Sequence, residues 1–172
     1  IYPNAKIIGF EPDPKIYNIL KENIEARALK DVKVFNYGLW KDETTLTFDS
    51  DGADGGRISG DNEGSNPIHI KTKKLSTYLK DTNVDMLKID IEGAETEVLK
   101  EAQNYIRNAS NIFIEFHSFQ NQEQKLEDIL AILSQQGFRY FIHSQFCSRT
   151  PFTEIQLQLG MDLQLNIFAT KA

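Results

Sequence analysis

Apolar strand-like segments alternate with amphipathic helical segments along this chain, and this alternation restricts its fold more than any other feature. The apolar segment Lys6 to Phe10 comes first, and Asp13 and Pro14 then suit the N-cap and the first position of a helix. Apolar residues keep helical spacing to about Arg27, and the β-branched segment Val32 to Tyr37 follows. The first part of the chain therefore predicts a βαβ unit.

The same alternation continues towards the carboxyl terminus. The further predicted strands are Ile68 to Thr72, Asp85 to Asp90, Asn111 to Phe116, Phe138 to Ile142 and Leu163 to Ala169. Helices are predicted at about Ala94 to Tyr105 and from Leu126 to Gly137, where the glycine suits the position after a helix end, and a helical turn at Ser76 to Lys80. The pattern predicts an α/β fold with an open, mostly parallel sheet, helices on both faces and a terminal pair of strands.

Two segments between these units need a separate prediction. Leu39 to Lys41 and Thr44 to Asp49 resemble the two strands of a hairpin beside the main sheet. Residues 49–66 are mostly Asp, Gly, Ser, Asn and Glu, so they predict a flexible loop. A calcium loop beginning at Asp49 is not supported, because Ala53 and Gly60 stand where two of the ligands would be needed.

Composition narrows the class of protein. A length of 172 residues with 40% apolar residues suits a single domain over residues 1–172. No apolar run is long enough for a membrane span or a signal peptide, and the net charge of −6 does not favour nucleic acid as a partner. With one cysteine, no internal disulfide can form. We therefore expect a soluble, cytoplasmic protein.

Polar residues at the carboxyl ends of the predicted strands are the candidates for a site, because ligands bind there in open α/β sheets. Glu11 follows the first strand, Asp90 with Glu92 follows a later one, and Glu115 with His117 ends the next. The Glu11 carboxylate could accept hydrogen bonds from both hydroxyls of a ribose, or it could simply be a solvated residue in a proline-rich turn.

Asp90 and Glu92 are two residues apart, and so are Glu115 and His117. Side chains alternate between the two faces of a strand, so each pair is predicted to project to one side of its strand. His117 can act as a general base, with a carboxylate to orient it. Asp90 and Glu92 could instead only begin the next helix, as Glu95 is expected to do, because acidic residues favour helix N-termini. A divalent metal bound by these four residues is a less favoured alternative, and our prediction is no metal.

Lys88 lies within the apolar strand before Asp90. A buried ammonium needs a carboxylate partner, and we expect Glu115 or Glu11 to supply it.

Several motifs, in this order and spacing, together resemble the FkbM-type methyltransferases. They are Ile8-Gly-Phe-Glu-Pro-Asp-Pro14, Leu20-Lys-Glu-Asn23, Leu87-Lys-Ile-Asp-Ile-Glu-Gly-Ala-Glu95 with Val98-Leu99, and Ile114-Glu-Phe-His117. The resemblance spans about residues 6 to 170.

The resemblance implies a Rossmann-like class I methyltransferase fold with an antiparallel closing strand, S-adenosylmethionine as cofactor, and a hydroxyl of a sugar, polysaccharide or other small metabolite as acceptor. It assigns the cofactor ribose to Glu11 in the turn with Pro12 and Asp13, the adenine to the segment of Tyr37 and Gly38, and the methionine part to Asp90. His117 would be the catalytic base, and Glu115 or Glu92 would orient the base or the substrate.

The start of the sequence departs from the family pattern. Such enzymes have a strand and a glycine-rich turn before the strand that ends in Glu11, and neither is present here. We therefore expect an amino-terminally truncated chain. A catalytically inactive, methyltransferase-like binding module and a nicotinamide-dependent oxidoreductase are the two alternatives, and the second lacks a Gly-x-Gly-x-x-Gly motif.

Overall fold

A computed structural model describes residues 4–50, 57–58 and 67–171 of the chain. Contacts divide the chain into two compact units, Ile1–Lys73 and Lys74–Ala172. The predicted single domain stays a prediction.

The first unit contains one helix and several short strands. Its elements are β1 (Ile7–Phe10), α1 (Pro14–Ala26), β2 (Val32–Phe35), β3 (Gly38–Leu39), β4 (Thr45–Asp49), β5 (Arg57–Ile58) and β6 (Pro67–Lys73). β1 and β2 pair in parallel, so the predicted βαβ unit is confirmed. Asp13 caps α1, accepting hydrogen bonds from the backbone N–H groups of Lys15 and Ile16 at 2.7 and 3.3 Å, and Pro14 is the first helical residue.

The predicted hairpin is wrong, because a distant strand lies between its two halves. The order in this sheet is β3-β6-β4-β5, with β6 parallel to β3 and antiparallel to β4. Thr72 of β6 also holds the connection between β3 and β4, since its hydroxyl donates to the Asp42 carbonyl at 2.7 Å and accepts from the Thr44 N–H at 3.0 Å. Local pattern identified the strands but could not show that β6 separates them.

The predicted flexible loop over residues 49–66 falls mostly outside the described residues. Within that segment, Asp49 ends β4, Ser50 is buried, and β5 pairs with β4 in antiparallel register.

The second unit contains most of the core. Its elements are α2 (Ser76–Leu79), β7 (Val84–Ile89), α3 (Glu95–Ala102), β8 (Ala109–Phe119), α4 (Leu126–Gln135), β9 (Phe138–Cys147) and β10 (Met161–Lys171). The strand order is β7-β8-β10-β9, with β7 parallel to β8 and β10 antiparallel to both of its neighbours. The predicted antiparallel closing strand is therefore confirmed.

Helices α3 and α4 pack on this sheet and on each other. Val98, Leu99, Ile114, Ile129 and Ile167 are at most 1% exposed in this layer. Gly137 follows α4 with φ +81°, the left-handed conformation that a glycine adopts without strain.

Among the described residues, no helix combines the length and the apolar character that crossing a membrane would require.

Replacing Leu99 with alanine tests this core. We expect Leu99→Ala to lower the free energy of unfolding by about 2–5 kcal/mol, because it removes a fully buried side chain and leaves a cavity. Leu157→Ala is the control, since Leu157 is 47% exposed, and we expect a small change. Urea denaturation followed by circular dichroism measures both, and equal losses would contradict the assignment of the core.

Candidate active site

His117 lies near the end of β8, and its side chain is 2% exposed. Its Nδ1 is 3.0 Å from Oε1 of Glu95, which is the first residue of α3 and whose side chain is 1% exposed. A hydrogen bond between two buried side chains therefore joins the start of α3 to the end of β8.

The other ring nitrogen of His117 faces two more carboxylates. Nε2 is 3.8 Å from Oε1 of Glu92 and 3.8 Å from Oε1 of Glu115. Gln164 of β10 donates to Glu115 Oε1 at 2.6 Å and so fixes that carboxylate. The structure thus brings together Glu92, Glu115 and His117 at the carboxyl ends of parallel strands, where the sequence predicted a site.

Asp90 directly follows β7 and joins this group. One ligand atom from each of Asp90, Glu115 and His117 lies within 4.8 Å of the others, so these residues could hold a cation. The absence of a metal stays a prediction.

Lys88 contacts Asp90 rather than Glu115 or Glu11, which corrects the sequence prediction. Its Nζ is 3.0 Å from Asp90 Oδ2, and its side chain is 62% exposed. An exposed ammonium remains hydrated, so it does not need a buried partner.

The turn between β7 and α3 has an uncommon backbone. Glu92 has φ +53° and Gly93 has φ +97°, both in the left-handed region. The φ of Gly93 favours glycine, and a Cβ added there would also come within 3.1 Å of the ring of Phe119, which would have to move slightly.

Burial and the surrounding carboxylates change the pKa values of His117 and Glu92. Burial works to lower the pKa of His117, but the hydrogen bond to Glu95 and the negative charges of Glu95, Glu92 and Asp90 outweigh it and raise the pKa above 6.5. Burial raises the pKa of Glu92; His117 opposes this, while Asp90, Glu95 and Glu115 add to it. The site therefore favours a positive charge on the imidazole.

Sequence reasoning does not identify Glu95 as a site residue, because a position at a helix start is enough to explain an acidic side chain. A signal was present in the sequence. Glu95 shares one helical stripe with Val98, Leu99 and Ala102, each 0% exposed. A carboxylate on a buried stripe needs hydrogen-bond donors, and the histidine of the next strand is one of them.

Glu11 and Asp13 occupy the turn after β1 in the first unit. Glu11 Oε1 accepts from the Asp13 N–H at 2.8 Å, and Asn36 donates to the backbone carbonyls of Glu11 and Pro12 at 2.9 and 3.0 Å. Burial raises the pKa of Glu11; its bond from Asp13 N–H opposes this and the Asp13 charge adds to it.

Both carboxylate oxygens of Asp13 accept hydrogen bonds. Oδ1 caps α1, and the Ser50 hydroxyl donates to Oδ2. Burial acts to raise the pKa of Asp13, but these hydrogen bonds prevail and lower it.

Gly38 lies next to this turn, whereas Tyr37 is placed by aromatic packing. A Cβ on Gly38 would meet Ile70 at 2.9 Å and Pro12 at 3.7 Å, and the ring of Tyr37 stacks on Phe35 at 6.2 Å. The first unit thus brings Glu11, Pro12 and Gly38 into one neighbourhood.

Comparison with solved structures identifies the fold. A methyltransferase FkbM from Methylobacillus flagellatus KT aligns with 94% of this chain and 36% of its own, with a TM-score of 0.52 and 20% identity. A precorrin-6y C5,15-methyltransferase from Geobacter metallireducens GS-15 aligns with 99% of this chain and 69% of its own, with a TM-score of 0.52 and 11% identity. The predicted Rossmann-like class I methyltransferase fold is confirmed.

Sequence comparison identifies the family. Residues 3–140 match the methyltransferase FkbM domain, so the chain belongs to the FkbM methyltransferase family, as its motifs predicted. The family assignment also favours a methyltransferase over the nicotinamide-dependent alternative.

Two curated relatives show how much of such proteins the chain represents. The methyltransferase sdnD of Sordaria araneosa is 27% identical over 80% of this chain and 66% of its own length. The hexuronic acid methyltransferase AglP of Haloferax volcanii is 31% identical over 66% of this chain and 48% of its own. The chain thus spans about half of the length of one relative and about two thirds of the length of the other.

The raised pKa of His117 predicts a pH-dependent stability. A group whose pKa is raised on folding stabilises the protein fully below its unfolded value of about 6.5, and this contribution disappears as pH rises through the folded value. We expect His117→Asn to remove this part of the pH dependence of the free energy of unfolding, measured by urea denaturation from slightly acidic to alkaline pH. His143→Asn is the control, because His143 is exposed. A wild-type curve that follows His117→Asn at every pH would contradict the ion pair.

Proposed function

We propose that this protein is an S-adenosylmethionine-dependent O-methyltransferase that acts on a hydroxyl of a sugar, polysaccharide or other small metabolite. The observation that carries the proposal is the buried His117, which one carboxylate holds at Nδ1 while Nε2 faces two others. Membership of the FkbM family supports the reaction class. The name of AglP, a hexuronic acid methyltransferase, supports a sugar acid as one acceptor to test.

The charges of the second unit fit a cationic cofactor. Asp90, Glu92, Glu95 and Glu115 surround one imidazole, and Lys88 is the cation that contacts this group among the described residues. The cofactor would supply a methyl group on a positively charged sulfonium, which an excess of carboxylates attracts. We assign Asp90 to its methionine part.

The first unit supplies groups that fit a nucleoside. The Glu11 carboxylate has acceptor capacity for the two ribose hydroxyls, and its bond from the Asp13 N–H fixes its direction. Pro12 and Asp13 shape the turn, and Tyr37 and Gly38 are assigned to the adenine. This assignment rests on the family motifs.

His117 is assigned as the general base. An alcohol is a weak nucleophile, so its proton must leave as its oxygen bonds to the methyl carbon and the carbon–sulfur bond breaks. Above its raised pKa His117 is neutral, so Nε2 can take this proton, and Glu92 or Glu115 orients the hydroxyl or stabilises the imidazolium that forms. No metal takes part in this proposal, and EDTA is expected to leave turnover unchanged.

Removing the base should slow turnover more than it weakens cofactor binding. We expect His117→Ala to lower kcat ~100- to 10,000-fold, the usual contribution of a general base. The assay follows tritium transfer from methyl-labelled S-adenosylmethionine to hexuronic acid glycosides, and calorimetry measures cofactor affinity. His143→Ala should leave both unchanged, and an equal loss of rate and affinity in His117→Ala would refute the role.

Removing the Glu11 charge should act on the cofactor instead. We expect Glu11→Gln to weaken S-adenosylmethionine binding ~10- to 100-fold, because hydrogen bonds to a charged acceptor are lost. Glu22→Gln is the matched control, since Glu22 is exposed on α1. Cofactor binding without methyl transfer to any acceptor would favour the inactive binding module, and the absence of binding by the wild type would contradict the proposal.

A further inference from the structure

Glu95 is a charged residue on the buried face of α3, where its neighbours Val98 and Leu99 are apolar. It is 1% exposed and lies on the stripe of α3 that carries Val98 and Leu99 into the core. A buried carboxylate without donors would be strongly unfavourable. Three donors surround it: the backbone N–H groups of Gly93 and Ile91, and Nδ1 of His117.

The two backbone N–H donors hold the turn that presents Glu92. Glu95 accepts from the Gly93 N–H at 3.0 and 3.1 Å and from the Ile91 N–H at 3.3 Å, on either side of Glu92. Glu92 has φ +53°, a conformation that residues with a side chain rarely adopt unless neighbouring bonds hold it. The Glu95 carboxylate, which contacts His117, therefore also fixes the 91–93 turn. Glu92 lies in this turn, and its side chain faces Nε2 of His117.

The third bond decides which ring nitrogen of His117 carries its hydrogen. A carboxylate can only accept, so Nδ1 must donate to Glu95. A neutral imidazole has a single N–H, which leaves the lone pair on Nε2. Nε2 is the nitrogen that faces Glu92 and Glu115.

We propose that Glu95 is the positioning residue of this site: it fixes His117 in the Nδ1–H tautomer and holds the 91–93 turn, so that Nε2 is the atom that accepts the hydroxyl proton. This inference rests on the proposed function and specifies its base. It assigns to Glu95 the orienting role that the sequence assigned to Glu92 or Glu115.

The charges around His117 come from three elements. Asp90 and Glu92 belong to the turn after β7, Glu95 to α3 and Glu115 to β8, and Lys88 contacts Asp90. The hydrogen bond to Glu95 is the largest of the contributions that raise the pKa of His117 against burial. Neutralising Glu95 should therefore lower this pKa.

The first experiment uses the wild-type protein and needs no ligand. Two-dimensional ¹⁵N–¹H NMR of the histidine rings, with His117 assigned by its loss in His117→Asn, reports the tautomer above the pKa. We expect a protonated Nδ1 and an unprotonated Nε2. A protonated Nε2 would overturn the inference, whether or not any Glu95 variant folds.

The second experiment removes the charge and keeps the shape. In Glu95→Gln, the amide oxygen can still accept from the backbone and from Nδ1, so we expect the tautomer to persist while the pKa of His117 falls. With tritium-labelled S-adenosylmethionine and hexuronic acid glycosides, kcat should fall ~10- to 100-fold, less than in His117→Ala. The acid limb of the kcat/KM profile should move to lower pH, which a loss of stability alone would not cause.

Glu97→Gln is the matched control. Glu97 also lies in the first turn of α3, but it contacts Lys125 at 3.3 Å rather than His117. It should leave the His117 titration unchanged. If Glu95→Gln and Glu97→Gln give the same His117 titration, the inference is wrong; if the tautomer and titration are as expected but the wild type binds no S-adenosylmethionine, only the proposed function fails.

Discussion

The hydrogen bond between Glu95 and His117 is the interaction on which the candidate site depends. Each side chain is almost fully buried, so each would be unfavourable in its position without the other. Because Glu95 begins α3 and His117 lies near the end of β8, their bond sets the helix start against the strand end. This bond fixes the position of the imidazole, and the carboxylates of Glu92 and Glu115 lie beside its other nitrogen, Nε2.

Buried carboxylates perform two different tasks in this chain. Asp13 is engaged at both oxygens by the cap of α1 and by Ser50, so its charge serves the local structure and its pKa is lowered. Glu95 likewise accepts backbone hydrogen bonds, but it also raises the proton affinity of a histidine beside two further carboxylates. A concentration of negative charge around one base is unfavourable for folding and suits a cationic ligand, which is why we place the chemistry there.

Much of the fold could be predicted from short stretches of the sequence, because helix caps, helix ends and strand periodicity are set by residues that are close together in the chain. The cap and proline at the start of α1, the glycine after α4 and the periodicity of the strands depend on residues close in sequence. The grouping of Asp90, Glu92, Glu115 and His117 was also predictable, since parallel strands bring their carboxyl ends together. The hairpin prediction was wrong because β6, distant in sequence, pairs with both β3 and β4.

The sequence by itself determined the family, the alternation of strands and helices, and the residues gathered at the strand ends. Tertiary structure decided which of the carboxylates touches which nitrogen of His117, that Lys88 is exposed and contacts Asp90, and that Glu95 is a core residue. The physical reason is that a side chain's burial and partners depend on how α3 packs on the sheet. Spacing along the chain predicts on which face of its own helix or strand a residue lies. The contacts of that residue depend on which other helix or strand packs against that face.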